Sequence, residues 1–294
     1  MSRMKSKVIF GIAILLLLSG CGIISVAYNY AYVYLRYSIN SYASFDDRQR
    51  ETIAKEVNVF VMWHRKKMLP EYMEFLQELQ RTTQSGAGLK KEDVTRFRAR
   101  ARSLYVKTLQ PTVSPAASLL SGVDPEQIEE MVKSFAKENK KKERELGGSP
   151  DEQFTKRAEK TIDFLENMVG DFTDNQLEKI REMSRKLPLA GSIYIGQKAD
   201  NQARLIELLK NNKGEDAIAA LLSTWLSTPE INRSPGEQGI ILAYENASDA
   251  MMASIYQMLT DSQKKTLQKN ILKYINTFQD LSSKAQAIQE GTPK

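Results

Sequence analysis

Residues 45–80 read FDDRQRETIAKEVNVFVMWHRKKMLPEYMEFLQELQ, and apolar side chains recur in this stretch every three or four positions rather than every two. Ile53, Val57, Phe60, His64 and Met68 share one face of a helix over 48–69, and Tyr72, Phe75, Leu76 and Leu79 continue the stripe over 71–82. Pro70 stands between the two pieces. Its missing N–H breaks or kinks a helix interior but suits a first turn.

The same period runs through 91–109, 124–145, 151–169, 174–187, 192–211, 215–227, 237–258 and 261–288, with no convincing strict alternation. The expected fold class is all-α, an antiparallel multi-helix bundle or curved helical array of about nine to ten helices. Ser85-Gly86-Ala87-Gly88 reads as a flexible turn, Pro111 to Pro115 as a stiff connector, and Ser227 to Gly236 as a longer loop. Gly147-Gly148-Ser149-Pro150 reads as a helix stop followed by a start, where a helical body over 45–289 would subdivide. Residues 290–294 are expected to be a frayed tail.

The chain has 294 residues, 41% apolar and 27% charged, which is enough to bury a core. One cysteine and one histidine exclude an internal disulfide, a Cys-rich zinc site, an iron–sulfur cluster and a multi-histidine metal centre. No metal site is expected. No Gly-x-Ser-x-Gly elbow, phosphate loop or Ser-x-x-Lys motif is present, so no catalytic residue is assigned. His64 lies on the apolar stripe with Phe60 and Met68 and reads as a packed, hydrogen-bonded histidine. The alternative is a general base, and an envelope hydrolase using His64 or paired carboxylates is the third functional reading.

The amino terminus, MSRMKSKVIFGIAILLLLSGC, has a basic start, an apolar run from Val8 to Leu18 and small residues before Cys21. That is a secretory signal layout. Leu18-Ser19-Gly20-Cys21 resembles the lipobox of bacterial lipoproteins. The resemblance implies cleavage before Cys21, removal of signal peptide 1–20, diacylation of the sulfur and acylation of the new α-amine. Three acyl chains make a lasting membrane anchor where one holds only marginally. No cofactor is implied beyond this covalent lipid.

The alternative is an inner-membrane signal anchor, because Val8 to Ala27 gives twenty mostly apolar residues. Gly22 stands where an inner-membrane retention signal carries aspartate, so the resemblance implies the periplasmic face of the outer membrane. Loss of Arg3, Lys5 and Lys7 leaves 39 basic against 36 acidic residues, a net charge of +3 rather than +6. That balance makes no case for nucleic acid. Segment 21–44 carries tyrosines at 28, 30, 34, 37 and 42. It is either a tether or membrane-proximal helix at the interface, or a segment docked on the helical body.

Four segments repeat a local pattern: Phe45-Asp46-Asp47-Arg48-Gln49, Val123-Asp124-Pro125-Glu126-Gln127, Phe172-Thr173-Asp174-Asn175-Gln176 and Leu259-Thr260-Asp261-Ser262-Gln263. Each opens an expected helix, with Asp or Thr as N-cap and Gln at the third helical position, the layout of a capping box. Ile128 and Leu177 are placed to staple back onto Val123 and Phe172. Spacings of 78, 49 and 87 residues argue against a regular solenoid. The last two copies resemble the Leu-Thr-x-x-Gln motifs of small periplasmic chaperones of the Spy and CpxP type, and this motivates a chaperone-like holdase as the second reading.

A longer likeness joins the lipobox, Phe45 to Arg50 and Trp63-His64-Arg65-Lys66-Lys67-Met68-Leu69-Pro70-Glu71-Tyr72 through Leu76. These resemble an uncharacterised bacterial lipoprotein family (DUF6279-like), which implies architecture and location but no activity. Three basic clusters complete the inventory: Arg65-Lys66-Lys67, Arg96 to Arg102 at alternate positions, and Lys140-Lys141-Lys142 with Arg144. Residues 96 and 100 share one side of a helix, and 98 and 102 the opposite side. They read as solvated faces, or as contacts to an anionic envelope polymer or lipid headgroups through Arg65, Lys66, Lys67, Arg96 and Arg100. The expectation is a membrane-anchored envelope lipoprotein whose helical domain binds or scaffolds an envelope protein or polymer, with no catalysis of its own.

Overall fold

A computed structural model describes residues 21–86 and 88–289. The signal segment 1–20, with Leu18, Ser19 and Gly20, and the tail 290–294 lie outside the described residues. The described chain is helical throughout, without strands. Its α-helices are α1 Cys21–Asn29, α2 Ala31–Asn40, α3 Asp47–Trp63, α4 Leu69–Gln84, α5 Lys91–Leu109, α6 Val113–Ser121 and α7 Pro125–Leu146. They continue as α8 Pro150–Val169, α9 Asp174–Arg185, α10 Gly191–Lys210, α11 Glu215–Ser227, α12 Pro235–Gln257 and α13 Asp261–Gln289. The surplus over nine to ten comes from α1, α2 and α6.

Helix α6 corrects the expected connector at Pro111 to Pro115. Gln110–Thr112 is a 3₁₀ turn that leads directly into α6. Both prolines sit in a first turn, where the backbone N–H has no intrahelical partner and its loss costs little. Between α3 and α4, likewise, the chain does not break. Residues His64–Met68 form a π turn, and the Leu69 N–H reaches back five residues to the His64 carbonyl. The widened turn accommodates Pro70 in the first turn of α4, so the apolar stripe passes through with His64, Met68 and Leu69 all buried.

The principal helix contacts are nested: α8 on α9, α7 on α10, α6 on α11, α5 on α12 and α4 on α13. The chain folds back on itself about Gly170, whose φ of +83° suits glycine at the α8–α9 corner. Side-chain contacts give the direction of the pairs. Arg157 meets Ser184 while Glu159 meets Arg181, and Thr95 meets Asp249 while Arg98 meets Glu245. Rising numbers on one helix match falling numbers on its partner, which is the antiparallel packing expected. One hydrophobic cluster runs through both sides of Gly147–Pro150, with Ile128 and Met131 before it and Ile162 and Leu165 after it. Burying each such side chain stabilises the fold by about 1.5–3 kcal/mol.

The four capping boxes form as read. They also pair. Gln49 and Gln127 exchange amide hydrogen bonds of 3.1 and 2.7 Å, and Gln176 and Gln263 exchange bonds of 2.8 and 3.0 Å. Each glutamine also donates to the carbonyl five residues before its partner glutamine: Gly122, Ser44, Met258 and Asp171, respectively. Each Oε1 in addition accepts its own N-cap N–H at 2.9–3.1 Å. The two donors and two acceptor sites of all four amides are therefore filled.

The boxes at Ser149/Glu152 and Ser234/Glu237 cap their helices without such pairing. A carboxylate offers no donor, so two of them cannot make the exchange. Gln176→Glu keeps the capping acceptor but loses both donors, and equilibrium urea unfolding should show a loss of about 2–3 kcal/mol. Glu237→Gln should stay within about 0.5 kcal/mol of the parent. Equal effects at the two positions would show that the pairing adds nothing to capping.

Candidate functional site

The first described helix meets the π turn through Tyr28 and His64. Cys21 is the first described residue and lies in α1. The helical hydrogen bonding runs on across the α1–α2 junction, from Tyr30 N–H to the Val26 carbonyl and from Tyr34 N–H to the Tyr30 carbonyl. Tyr28, Tyr32, Leu35, Ile39 and Tyr42 therefore line one face, at spacings of four, three, four and three, and all five pack on the hydrophobic core. The stretch from Tyr28 to Tyr42 is docked along this face. Tyr42 secures the far end by donating to Glu138 of α7 at 2.9 Å.

Tyr28 and His64 carry the near end. Tyr28 Oη lies 2.5 Å from His64 Nδ1, His64 Nε2 lies 3.3 Å from Tyr72 Oη, and Tyr72 Oη lies 2.5 Å from Thr108 Oγ1. Thr108 Oγ1 in turn donates to the Leu104 carbonyl at 2.7 Å. That carbonyl only accepts, so the direction of the whole chain follows from it. Thr108 accepts from Tyr72, Tyr72 accepts from the Nε2–H of a neutral His64, and Nδ1 accepts from Tyr28. Four elements, α1, the π turn, α4 and α5, are joined by one directional chain.

His64 is 6% exposed. Burial, and after it the Arg65 guanidinium, push its pKa from 6.5 down to about 4, so the imidazole is neutral at ordinary pH. Burial likewise raises the Tyr28 and Tyr72 hydroxyls, which remain protonated donors. His64 is thus the packed histidine expected from the apolar stripe, with every ring nitrogen engaged. Arg65 lies 5.0 Å from the Tyr28 ring centroid and donates to Asn29 Oδ1 at 3.1 Å, so it reinforces the same junction. Lys66 and Lys67 follow it on the exposed side of the π turn.

Arg96 and Arg100 do not join this cluster. They lie two to three turns along α5 from Thr108, about 12–18 Å away at 1.5 Å per residue. Arg96 pairs with Asp93 at 2.9 Å and Glu78 at 3.3 Å, and Arg100 pairs with Glu78 and with Glu74 at 3.8 Å. On the opposite side of α5, Arg98 holds Glu245 and the buried Asp249, and Arg102 holds Glu230. The alternating arginines are the two sides of a ladder that ties α5 to α4 on one side and to α12 and the turn before it on the other, with side chains that stay 34–51% exposed. Lys141 and Lys142 pair with Glu145 within their own helix.

Among the described residues no group of three or more His, Cys, Asp or Glu side chains is placed to hold a metal ion. No described helix is long and apolar enough to cross a membrane. Sequence reasoning did not single out Tyr28, Tyr72 and Thr108 as partners of His64. The four-three-four-three spacing from Tyr28 to Tyr42 was the legible signal, since it marks a face that must be covered.

Fold and site together define a protein, all-helical over the described residues, whose first described helix is locked to its body by a buried tyrosine–histidine chain. A family of unknown function, DUF6279, matches residues 41–230, 190 of the 294, and the chain belongs to that family. The matched region contains the π turn and three of the four glutamine boxes. Neither curated proteins nor solved structures gave a match.

The depressed His64 pKa has a defined pH consequence. In the unfolded chain the imidazole takes up a proton near pH 6.5, whereas in the folded chain it does so only near 4. Its contribution is complete above pH 6.5 and is lost as pH falls from 6.5 to 4, by up to about 3 kcal/mol. Urea midpoints measured across that window should fall further for the parent than for His64→Gln. Equal falls would assign the titration to another group.

Proposed function

We propose that this protein is a bacterial envelope lipoprotein, anchored through lipid on Cys21, whose helical body binds or scaffolds an envelope partner without catalysis of its own. The observation that carries this reading is the position of Cys21: the only cysteine of the chain directly follows a basic, apolar and small-residue signal layout. Gly22 favours the periplasmic face of the outer membrane. No cofactor beyond the covalent lipid enters this reading. The partner is an envelope protein or an anionic envelope polymer, met through the membrane-proximal side of the fold, where Arg65, Lys66 and Lys67 lie.

One feature of the fold fits an anchored module: the segment that follows Cys21 is seated on the core through Tyr28, Tyr32, Leu35, Ile39 and Tyr42.

Cys21→Ala should abolish incorporation of labelled palmitate and leave the chain at its unprocessed mass in intact cells. Palmitate incorporation equal to that of the parent would overturn the anchor.

A further inference from the structure

Helices α1 and α2 have a second face. Opposite the seated tyrosines, Val26, Tyr30, Val33 and Tyr37 recur at spacings of four, three and four, and their side chains are 55–64% exposed. They form a stripe about 16 Å long at 1.5 Å per residue. On the other described helices, exposed large apolar side chains stand only one or two to a helix. This contiguous apolar stripe therefore differs from the scattered exposed residues that any surface carries.

Charge sets the segment apart as well. From Val8 to Leu35 there is no charged residue, and between Cys21 and Ser44 Arg36 is the only one. The first acidic residue of the whole chain is Asp46. Arg36 is turned back onto its own helix, donating to Tyr32 Oη at 2.6 Å with its guanidinium 5.2 Å from that ring. The exposed stripe thus carries only aliphatic side chains and tyrosine rings. Beside it stands the basic Arg65-Lys66-Lys67 turn, in contact through Arg65 with Tyr28 and Asn29.

We infer that the Val26–Tyr30–Val33–Tyr37 face of α1–α2 lies in the headgroup region of the bilayer, so that the body is held flat against the membrane in one pose rather than swinging on its lipid. The chemistry matches that occupant. Aliphatic and tyrosine side chains suit a layer that is apolar on one side and wet on the other, the absence of acids avoids repulsion by anionic headgroups, and the adjacent basic turn attracts them. The stripe starts five residues after Cys21, so lipid on that sulfur delivers this face to the bilayer before any other. The inference rests on the proposed anchor. The inner face, locked by the Tyr28–His64 chain and by Tyr42–Glu138, makes the stripe rigid with respect to the rest of the fold.

The test uses the full-length lipidated protein reconstituted in vesicles of phosphatidylethanolamine and phosphatidylglycerol. An environment-sensitive thiol dye is attached at Tyr30→Cys, Val33→Cys or Tyr37→Cys, and at Leu242→Cys on α12 as a control. Emission at the first three sites should shift to the blue, and nitroxide-bearing lipids should quench it several-fold more than at 242, with circular dichroism equal to the parent's. Quenching no stronger than at 242 overturns the inference. Protection from a water-soluble quencher without lipid quenching, together with a doubled particle mass in detergent, assigns the face to a second copy and also overturns it. The mass of the Cys21 peptide, read on the same samples, reports the anchor separately: acylated Cys21 with water-exposed dyes removes the flat seating and leaves the anchor standing.

Discussion

The reciprocal amide exchange between glutamines of paired capping boxes is the interaction on which the rest of the fold depends. A capping box is ordinarily a local device that satisfies two orphan N–H groups at one helix end. Here each box glutamine has spare valence, two donors and one acceptor site, and uses it on a second helix end 78 or 87 residues away. One pair sets the start of α3 beside the start of α7, and the other sets α9 beside α13. Gln127, Gln176 and Gln263 are buried, so any unmade bond would carry a desolvation penalty, and the two helix starts can sit in only one register.

Those two junctions pin the nested fold. With α9 and α13 joined at their starts, α8 packs against both, and the remaining helices return in order along their partners. Between the nested pairs α4–α13 and α5–α12, the alternating arginines of α5 act as struts, and the buried Asp249 shows that position must be paired. Asp249 is 2% exposed and accepts from Arg98 and Thr95, so a carboxylate that would be costly alone is satisfied by three nitrogen contacts and a hydroxyl. The π turn serves the opposite end. By absorbing Pro70 it turns His64 inward, and the imidazole becomes the relay between the N-terminal helix and the body.

Much of this is legible in the amino-acid order. Apolar period, helix starts, the packed character of His64 and the opposite sides of the 96–102 arginines follow from contacts within four residues, and such contacts are written in spacing alone. Even the pairing leaves a trace, because the boxes that pair carry Gln and the boxes that stand alone at Ser149 and Ser234 carry Glu. The segment from Pro111 to Pro115 departs from the expected connector because proline breaks a helix only in its interior, whereas in a first turn it removes a donor that no helix uses. The arginine cluster is open to an external reading because its partners, Glu74, Glu78, Glu230, Glu245 and Asp249, come from α4, from α12 and from the turn before it.

The sequence by itself determined that this chain is a set of amphipathic helices, where the four glutamine-capped ones begin, and that its lone cysteine follows a signal layout. Periodicity and capping act over three or four residues, and no tertiary information is needed to read them. Only the tertiary structure decided which helix ends share their glutamines, that α1–α2 has a seated face and an open one, and that His64 links four elements. Those outcomes depend on where the chain folds back. A glutamine carries the same capping pattern whether or not a second glutamine, some eighty residues distant, completes its valence.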